Sequence, residues 1–253
     1  MCQVLSDAAY TGIGGWSPTF KFMWRVTRRE LIEAGFNMRA IAADGDAART
    51  AATDDSLHIN ILEFAGIVIN IWFALWYTCK EKNKLGGHVV SVLADNTSAL
   101  SWFRHASHSH RPAVRNLAYL CHCLIIFSQT SDFTKFEGTH IPGKNNNKAD
   151  TLSRPELFPT MGSAIAQFSQ LQTCHAFLLP FELLSTIAKA ILSPEIEAQF
   201  ISRTIALLTL APATTLTGAD GMPLQTGFFR RSHRGKQSRQ WESTWRVLLK
   251  VTT

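Results

Sequence analysis

The sequence lacks a Cys-x-x-Cys pair, a secretory leader and an internal repeat. Its five cysteines are an odd number, which is typical of free thiols and not of a disulfide framework. Cys121 and Cys123 flank His122, but neighbouring helical residues project in different directions, so we expect no structural metal there. These absences favour a reducing, intracellular location in the cytoplasm or the nucleus.

One apolar run, residues 59–77, is long enough to raise the question of a membrane span. The run contains Asn60, Glu63 and Asn70. A carboxylate at such a position is costly in lipid. We therefore expect a helix that is buried against a sheet, and no membrane partner.

The composition is that of a protein with a sizeable hydrophobic core. Hydrophobic residues make up 46% of the 253 residues, and the formal net charge is +6. The excess of basic over acidic residues is greater in residues 160–253 than in residues 1–159. Basic charge favours a polyanionic partner such as nucleic acid.

Strand-like and helix-like patterns alternate along residues 1–155, which predicts one α/β domain with a mixed sheet. Strands are predicted at residues 2–9, 20–26, 89–94 and 133–140, and helices at residues 60–77, 96–103, 112–129 and 148–154. Asn60 is the expected N-cap of the first long helix, with Glu63 in its first turn. Residues 27–57 are expected to form an irregular insertion, because much of this segment is small, polar and acidic, although its start could make one or two helical turns.

We expect residues 156–253 to form a separate, mostly helical region. Helical patterns begin at prolines within residues 160–210, and residues 211–229 form a loop rich in Thr, Gly and Pro. A basic run at residues 230–239 precedes a final predicted helix at residues 240–251. This run suits contact with nucleic acid, a nuclear import signal or a solvated linker.

Four acids stand at matching places in the predicted domain. Asp7 ends the first strand, Asp95 follows a buried strand, Glu63 lies on the long helix and Asp150 opens the last helix. Converging carboxylates repel one another, and two divalent cations about 4 Å apart would compensate and suit attack on a phosphodiester. Oxygen ligands favour Mg²⁺, for which Mn²⁺ can substitute.

The start of the helix that follows Asp95 predicts a phosphate contact. In open α/β sheets, ligands bind beyond the carboxyl ends of the strands. The backbone N–H groups of Asn96, Thr97 and Ser98 are placed there to meet a phosphate.

Four segments together resemble the ribonuclease H domain of retroelement polyproteins, most closely that of retrotransposons that carry a tyrosine recombinase. They are SDAAYTGIGGW, INILEF, VLADNTSALSW and HIPGKNNNKADTLSR, all within residues 2–155. The resemblance implies a five-stranded mixed sheet flanked by helices. It also implies acids at the end of the first strand, on the first long helix, after the fourth strand and at the last helix, which correspond to Asp7, Glu63, Asp95 and Asp150.

The same resemblance implies an activity. Members of the family use magnesium to cleave the RNA strand of an RNA–DNA hybrid. His140 and Asn146 stand ten and four residues before Asp150, where cellular members place a mobile histidine and an asparagine. We add Lys144, from the same loop, to Asn146 as a predicted contact to the hybrid.

Features of the chain outside the four matching segments depart from the family pattern. No YxDD polymerase motif occurs, so the reverse transcriptase module that normally precedes this domain is expected as a separate partner. We expect the chain to be a fragment, because its first strand leaves no room for an upstream domain. Residues 238–250 resemble the opening of a recombinase domain, and the segment between Asp7 and Glu63 is longer than the family norm.

Three alternatives stay open. The chain could be a catalytically inactive or decayed remnant that binds nucleic acid. It could be a transposase or integrase, although those enzymes use three acids and lack the one on the first long helix. It could also be a small α/β protein whose acids are incidental.

Overall fold

The computed structural model describes residues 2–38, 57–80, 89–105, 111–132, 135–195 and 197–209. In this part of the chain, six strands form one mixed sheet that is flanked by helices. The strands are β1 (Cys2–Ala9), β2 (Gly12–Ser17), β3 (Phe22–Thr27), β4 (Val89–Ala94), β5 (Lys135–His140) and β6 (His175–Phe177). Their order across the sheet is β5-β4-β1-β2-β3-β6. This architecture confirms the predicted mixed α/β class.

β1 lies inside the sheet and joins its antiparallel and parallel halves. The short connection after Ala9 lets β2 return antiparallel to β1, and β3 then runs antiparallel to β2. On its other side β1 pairs in parallel with β4, which in turn pairs in parallel with β5. Parallel pairs need crossover connections, and helices supply them here. The helices of the described residues are α1 (Arg28–Glu33), α2 (Ile59–Lys80), α3 (Thr97–His105), α4 (Pro112–Asp132), α5 (Asn147–Ser153), α6 (Met161–Ile165), α7 (Ser169–Gln172), α8 (Phe181–Leu192) and α9 (Ala198–Ala206).

α2 is the central helix of the larger core. Its span Ile59–Tyr77 is long and apolar enough to cross a membrane, yet 89% of that span is buried inside the protein. Phe73 of α2 stacks on Phe22 of β3, with ring centroids 5.0 Å apart. The indole Nε1 of Trp24 donates to Asn70 Oδ1 at 2.9 Å, which satisfies a polar atom inside this core. The helix is therefore buried against the sheet, as the sequence predicts.

α5 packs on β1 and β2 and belongs to a second, smaller core. Leu152 of α5 lies in that core beside Leu5 and Trp16. Gly14 of β2 permits the close approach, because a Cβ there would lie 2.4 Å from the Leu152 Cβ. The absence of a side chain at Gly14 thus allows α5 to pack closely on β2.

The elements after α5 continue both cores. Residues of α6, α7 and β6 complete the smaller core, while α8 and α9 pack beside α2 and α4. Two buried hydrogen bonds fix this packing. Trp72 Nε1 of α2 donates to the Thr204 carbonyl at 3.1 Å, and Asn116 Nδ2 of α4 donates to the Ala190 carbonyl at 2.8 Å.

The described part of residues 1–155 contains five strands, β1 to β5, which is the number that the resemblance implies; a sixth, β6, comes from the region predicted to be mostly helical. β6 is only three residues long and pairs in parallel with the edge strand β3. A segment of three residues is too short to show an alternating pattern, so its strand state depends on the partner that β3 provides.

The start of α2 is also corrected. α2 begins at Ile59, so Asn60 lies inside the helix and is not its N-cap, and the first turn holds no acid. The Asn60 backbone N–H donates to His58 Nδ1 at 3.2 Å. Glu63 therefore lies in the second turn. The predicted cap is wrong because Asn60, although a residue type common at N-caps, lies one residue inside the helix.

The predicted irregular insertion at residues 27–57 begins with a helix. Thr27 and Glu30 form a reciprocal capping box at the start of α1. Residues 39–56 of this insertion lie outside the described residues. The predicted loop at 211–229, the basic run at 230–239, the final helix at 240–251 and the recombinase-like residues 238–250 also lie outside them.

Candidate metal centre

Asp7 and Asp95 meet because they come from neighbouring parallel strands. Leu5 of β1 pairs with Leu93 of β4, so the positions two residues further along the strands are adjacent. Asp7 lies within β1 and is buried, with 6% of its surface exposed. Asp95 follows directly after β4. Adjacent strands lie about 4.8 Å apart, which sets the separation of the two carboxylates.

Glu63 reaches the same point from α2. Gly66, one turn further along α2, faces β1 closely, because a Cβ there would lie 3.3 Å from the Ser6 Cβ. This close packing brings Glu63 next to the strand. Carboxylate oxygens of Glu63, Asp7 and Asp95, one from each, all lie within 4.8 Å of one another. The three acids form a cluster that we call the acidic triad.

Burial and mutual repulsion disfavour ionisation in the acidic triad. The pKa of Asp7 is raised to about 6, mainly by burial; a hydrogen bond from Ser153 lowers it, and the charges of Asp95 and Asp150 raise it. The pKa of Glu63 is raised well above its ordinary value, first by burial and then by the charges of Asp7 and Asp95. A bound cation would remove this cost by neutralising the carboxylates.

The triad has the features of a cation site. All of its ligand atoms are carboxylate oxygens, which suit Mg²⁺ or Mn²⁺. The Ala8 backbone hydrogen-bonds the Glu63 carboxylate, yet Glu63 Oε2 is buried and has no hydrogen-bond partner among the described residues. A buried oxygen of this kind needs a partner, and a divalent cation in the triad would supply one. Asp7, Glu63 and Asp95 could therefore hold a metal ion.

Asp150 lies near the triad but not within it. It is in the first turn of α5, as the sequence predicts, and it is partly exposed. Arg154 Nε donates to Asp150 Oδ1 at 2.6 Å. The charge of Asp150 still raises the pKa of both Asp7 and Glu63. The structure thus brings three of the four predicted acids together and pairs the fourth with an arginine.

The loop before α5 closes one side of the triad. Asn146 is buried, and its Nδ2 lies 3.0 Å from the Ser6 carbonyl and 3.4 Å from Asp95 Oδ1. Gly143 permits this approach, because a Cβ there would lie 3.1 Å from Asp95 Oδ2. Lys144, on the 3₁₀ turn Gly143–Asn145, is exposed. Asn146 therefore holds the loop against the acids, and Lys144 lies at the surface of the same loop.

His140 ends β5 beside the triad and is exposed. Its Nε2 lies 3.2 Å from the carbonyl oxygen of Asp95. An N–H at that nitrogen would donate to the carbonyl. The ring is thus attached to the backbone of one triad residue and not to its carboxylate.

Asn96 and the start of α3 lie on the other side of Asp95. Asn96 Oδ1 accepts from the Ala99 backbone N–H at 3.0 Å, which caps the helix, and Asn96 Nδ2 donates to Asn60 Oδ1 at 2.9 Å. The side chain of Asn96 therefore links α3 to α2 next to the triad. Thr97 and Ser98 form the first turn of α3, where backbone N–H groups precede the capped one.

Two neighbours of the triad were not assigned a role from the sequence. Ser153 is fully buried and its Oγ lies 2.6 Å from Asp7 Oδ2. Arg154 holds Asp150, as described above. Their position near Asp150 could be predicted from the sequence, because Ser153 and Arg154 follow it by three and four residues and therefore share its face of the helix. The partner of Ser153 could not be found by spacing alone, since Asp7 is 146 residues away from it.

Comparison with known proteins identifies no relative. No protein-family model matches the chain, and neither a curated protein nor a solved structure matches it.

Proposed function

We propose that the chain is a divalent-cation-dependent nuclease that hydrolyses the RNA strand of RNA–DNA hybrids, a ribonuclease H of retroelement type. The observation that carries the proposal is the acidic triad, in which Asp7, Glu63 and Asp95 converge within 4.8 Å from two parallel strands and a buried helix. These acids occupy the places that the sequence resemblance implies. The assignment of an RNA–DNA hybrid as substrate rests on the resemblance of the motifs around these acids, because carboxylates alone do not select a nucleic acid.

The residues of the triad would hold Mg²⁺ or Mn²⁺, with Asp150 contributing from α5. Bound there, two ions would activate a water molecule and stabilise the leaving oxygen of the phosphodiester. Asn146 orients Asp95 through its Nδ2, and the Ala8 backbone restrains the Glu63 carboxylate. These contacts keep the oxygens in place before a cation binds, which is the preorganisation that catalysis needs.

His140 and the surrounding polar groups would act on the substrate side. The exposed ring of His140 lies beside the triad and is placed to take or deliver a proton. Lys144, on the loop that closes the triad, is placed to contact phosphates of the hybrid, and the first backbone N–H groups of α3 face the same edge of the sheet. Recognition of the RNA strand would use its 2′-hydroxyl groups.

A second candidate function is a nucleic-acid-binding remnant without activity. One observation favours it: Asp150 Oδ1 is paired with Arg154 Nε at 2.6 Å, and Asp150 lies outside the triad. Such a protein would bind the hybrid through its basic residues and leave it intact. The two functions differ in one measurable property, which is cleavage.

Incubation of the purified full chain with a labelled RNA–DNA hybrid and Mg²⁺ or Mn²⁺ tests the proposal. Asp95→Asn is the matched variant, because it keeps the shape of the side chain and removes its charge. We expect the wild type to cleave the RNA strand and the variant to lose at least about a hundredfold in rate. Hybrid binding without cleavage by a folded wild type would favour the remnant, and equal cleavage by the variant would place the activity elsewhere.

A further inference from the structure

Ser153 has a buried hydroxyl that lies between two of the predicted metal ligands. Its Oγ is 2.6 Å from Asp7 Oδ2 and 2.9 Å from the carbonyl oxygen of Asp150. A hydroxyl has one proton to donate. The carboxylate is both the nearer acceptor and the charged one, so the hydroxyl donates to Asp7.

This hydrogen bond restrains a carboxylate that little else holds. In the part of the chain that the structure describes, Ser153 is the side chain that donates to Asp7. Ser153 itself is fixed, because it is fully buried where α5 lies on β2. One carboxylate oxygen of Asp7 is therefore held by the helix, while the other is left without this bond.

The bond also connects two ligands that are far apart in the chain. Ser153 lies on α5 three residues after Asp150, and Asp7 lies on β1. The hydroxyl thus ties the strand that carries Asp7 to the helix that carries Asp150. The tie therefore restrains Asp7 relative to the helix that carries Asp150.

We propose that Ser153 is a positioning residue of the candidate metal site, which orients the Asp7 carboxylate toward the cation and ties it to the helix that carries Asp150. This inference rests on the proposed function for its catalytic readout but not for its binding readout. Loss of a hydrogen bond to a metal ligand commonly weakens metal affinity by about 10–100-fold. We expect an effect of that size from removal of the hydroxyl.

Thr151 offers a matched control on the same helix. It is 6% exposed, and its Oγ1 donates to the Asn147 carbonyl of its own helix at 2.8 Å, away from the acids. Thr151→Val therefore removes a buried hydroxyl without touching a metal ligand. Ser153→Ala removes the hydroxyl that reaches Asp7, and Ser153→Cys restores a weaker donor at the same position.

The experiment measures Mn²⁺ binding by electron paramagnetic resonance and cleavage of the RNA–DNA hybrid as a function of Mg²⁺ concentration, with the full chain throughout. We expect Ser153→Ala to weaken Mn²⁺ binding at least tenfold and to raise the Mg²⁺ concentration for half-maximal cleavage by the same factor. The rate at saturating Mg²⁺ should recover most of the wild-type value. The Mn²⁺ affinity and the Mg²⁺ requirement of Ser153→Cys should lie between those of the wild type and Ser153→Ala. Thr151→Val should match the wild type in both.

The outcomes separate this inference from the proposed function. Unchanged Mn²⁺ binding by Ser153→Ala, or an equal loss in Thr151→Val, would overturn the positioning role even if the wild type cleaves. Wild-type Mn²⁺ binding without cleavage would overturn the proposed function, while the binding data still decide the role of Ser153. Melting curves without metal verify that each variant is folded, and a folded wild type that binds no Mn²⁺ would overturn both.

Discussion

At the scale of single residues, the buried carboxylates of Asp7 and Glu63 couple folding to protonation. The pKa of Asp7 is raised from 3.8 to about 6, first by burial, and that of Glu63 is raised well above its ordinary value for the same reason. A folded-state pKa above the unfolded one gives stability that is present at low pH and lost as pH rises. The folded protein without metal thus holds protons that the unfolded chain has released.

We predict that the metal-free protein loses stability as pH rises from about 4 to above 6, and that Mg²⁺ restores it at pH 8. Asp7→Asn cannot ionise, so at pH 8 in EDTA it should melt about 2–6 °C above the wild type. Melting temperatures measured across this pH range, with and without Mg²⁺, provide the measurement. Mg²⁺ should stabilise the variant much less than the wild type.

Asp150→Asn is the control for that prediction. The Asp150 side chain is 42% exposed and already paired with Arg154, so its loss should raise the melting temperature in EDTA less than Asp7→Asn does. A wild-type melting temperature that stays constant or rises between pH 4 and 7 would contradict the predicted direction.

The residue scale is also where the sequence was least informative about the site. Asp7, Glu63 and Asp95 could be chosen because each stands at the end of a strand pattern or on the long helix. The pairing of Asp150 with Arg154 follows the local i,i+4 spacing, but the contact between Ser153 and Asp7 depends on how α5 lies on the sheet. No local pattern encodes that placement, so the partner of Ser153 is known only from the structure.

At the scale of elements, the contact between α5 and β2 places Asp150 and Ser153 beside the acidic triad. Gly14 of β2 pairs with Asp7 of β1. Because Gly14 has no side chain, α5 can pack directly on β2 at this position. A Cβ at Gly14 would lie 2.4 Å from the Leu152 Cβ and 2.6 Å from the Leu152 backbone carbon. Backbone cannot move aside as a flexible side chain would, so α5 must shift as a whole.

We predict that Gly14→Ala lowers the free energy of unfolding by about 1–3 kcal/mol, as overpacking does, and reduces Mn²⁺ affinity because α5 carries Asp150 and Ser153. Gly162→Ala is the control, since a Cβ there would meet only Thr160 Oγ1 at 3.8 Å. Urea denaturation and Mn²⁺ titration of both variants measure the effects. Equal stability of the two variants would mean that α5 does not lie as close to β2 as described.

The elements themselves were predicted well where they are long and strongly patterned. The predicted strands at residues 2–9 and 89–94 match β1 and β4 in their bounds. The bounds failed where competing signals stood side by side, as at the start of α2, where His58 and not Asn60 accepts the backbone hydrogen bond. β6 could not be found, because three residues carry too little pattern and the strand exists through its pairing with β3.

At the scale of the whole molecule, both hydrophobic cores run across residue 155. Leu183 and Ile187 of α8 are fully buried in the larger core, and Leu171 is fully buried in the smaller one. Arg25 of β3 also donates to the Phe158 carbonyl at 2.6 Å. Residues 1–155 therefore share their interior with the segment that follows them.

We predict that a protein limited to residues 1–155 exposes apolar surface and unfolds at a clearly lower temperature than the full chain. Truncation would remove the acceptors of Trp72 Nε1 and Asn116 Nδ2 together with the helices that cover them, and would remove β6 from the edge of the sheet. Dye binding and thermal melting test this, with residues 1–209 as the control. Equal melting temperatures for 1–155 and 1–209 would show that the first 155 residues fold independently.

The positions of the metal-site acids along the chain have a consequence for the timing of folding. Asp7, Glu63 and Asp95 come together only when β1, α2 and β4 have all joined, and the contact from Ser153 to Asp7 closes 146 residues of chain. Contacts between such distant residues form slowly because the entropy of the closed chain is lost first. A divalent cation bound to the triad would thus meet its ligands only after the fold is complete. It would slow unfolding and leave the rate of folding unchanged, and so would lengthen the lifetime of the folded protein without guiding its formation.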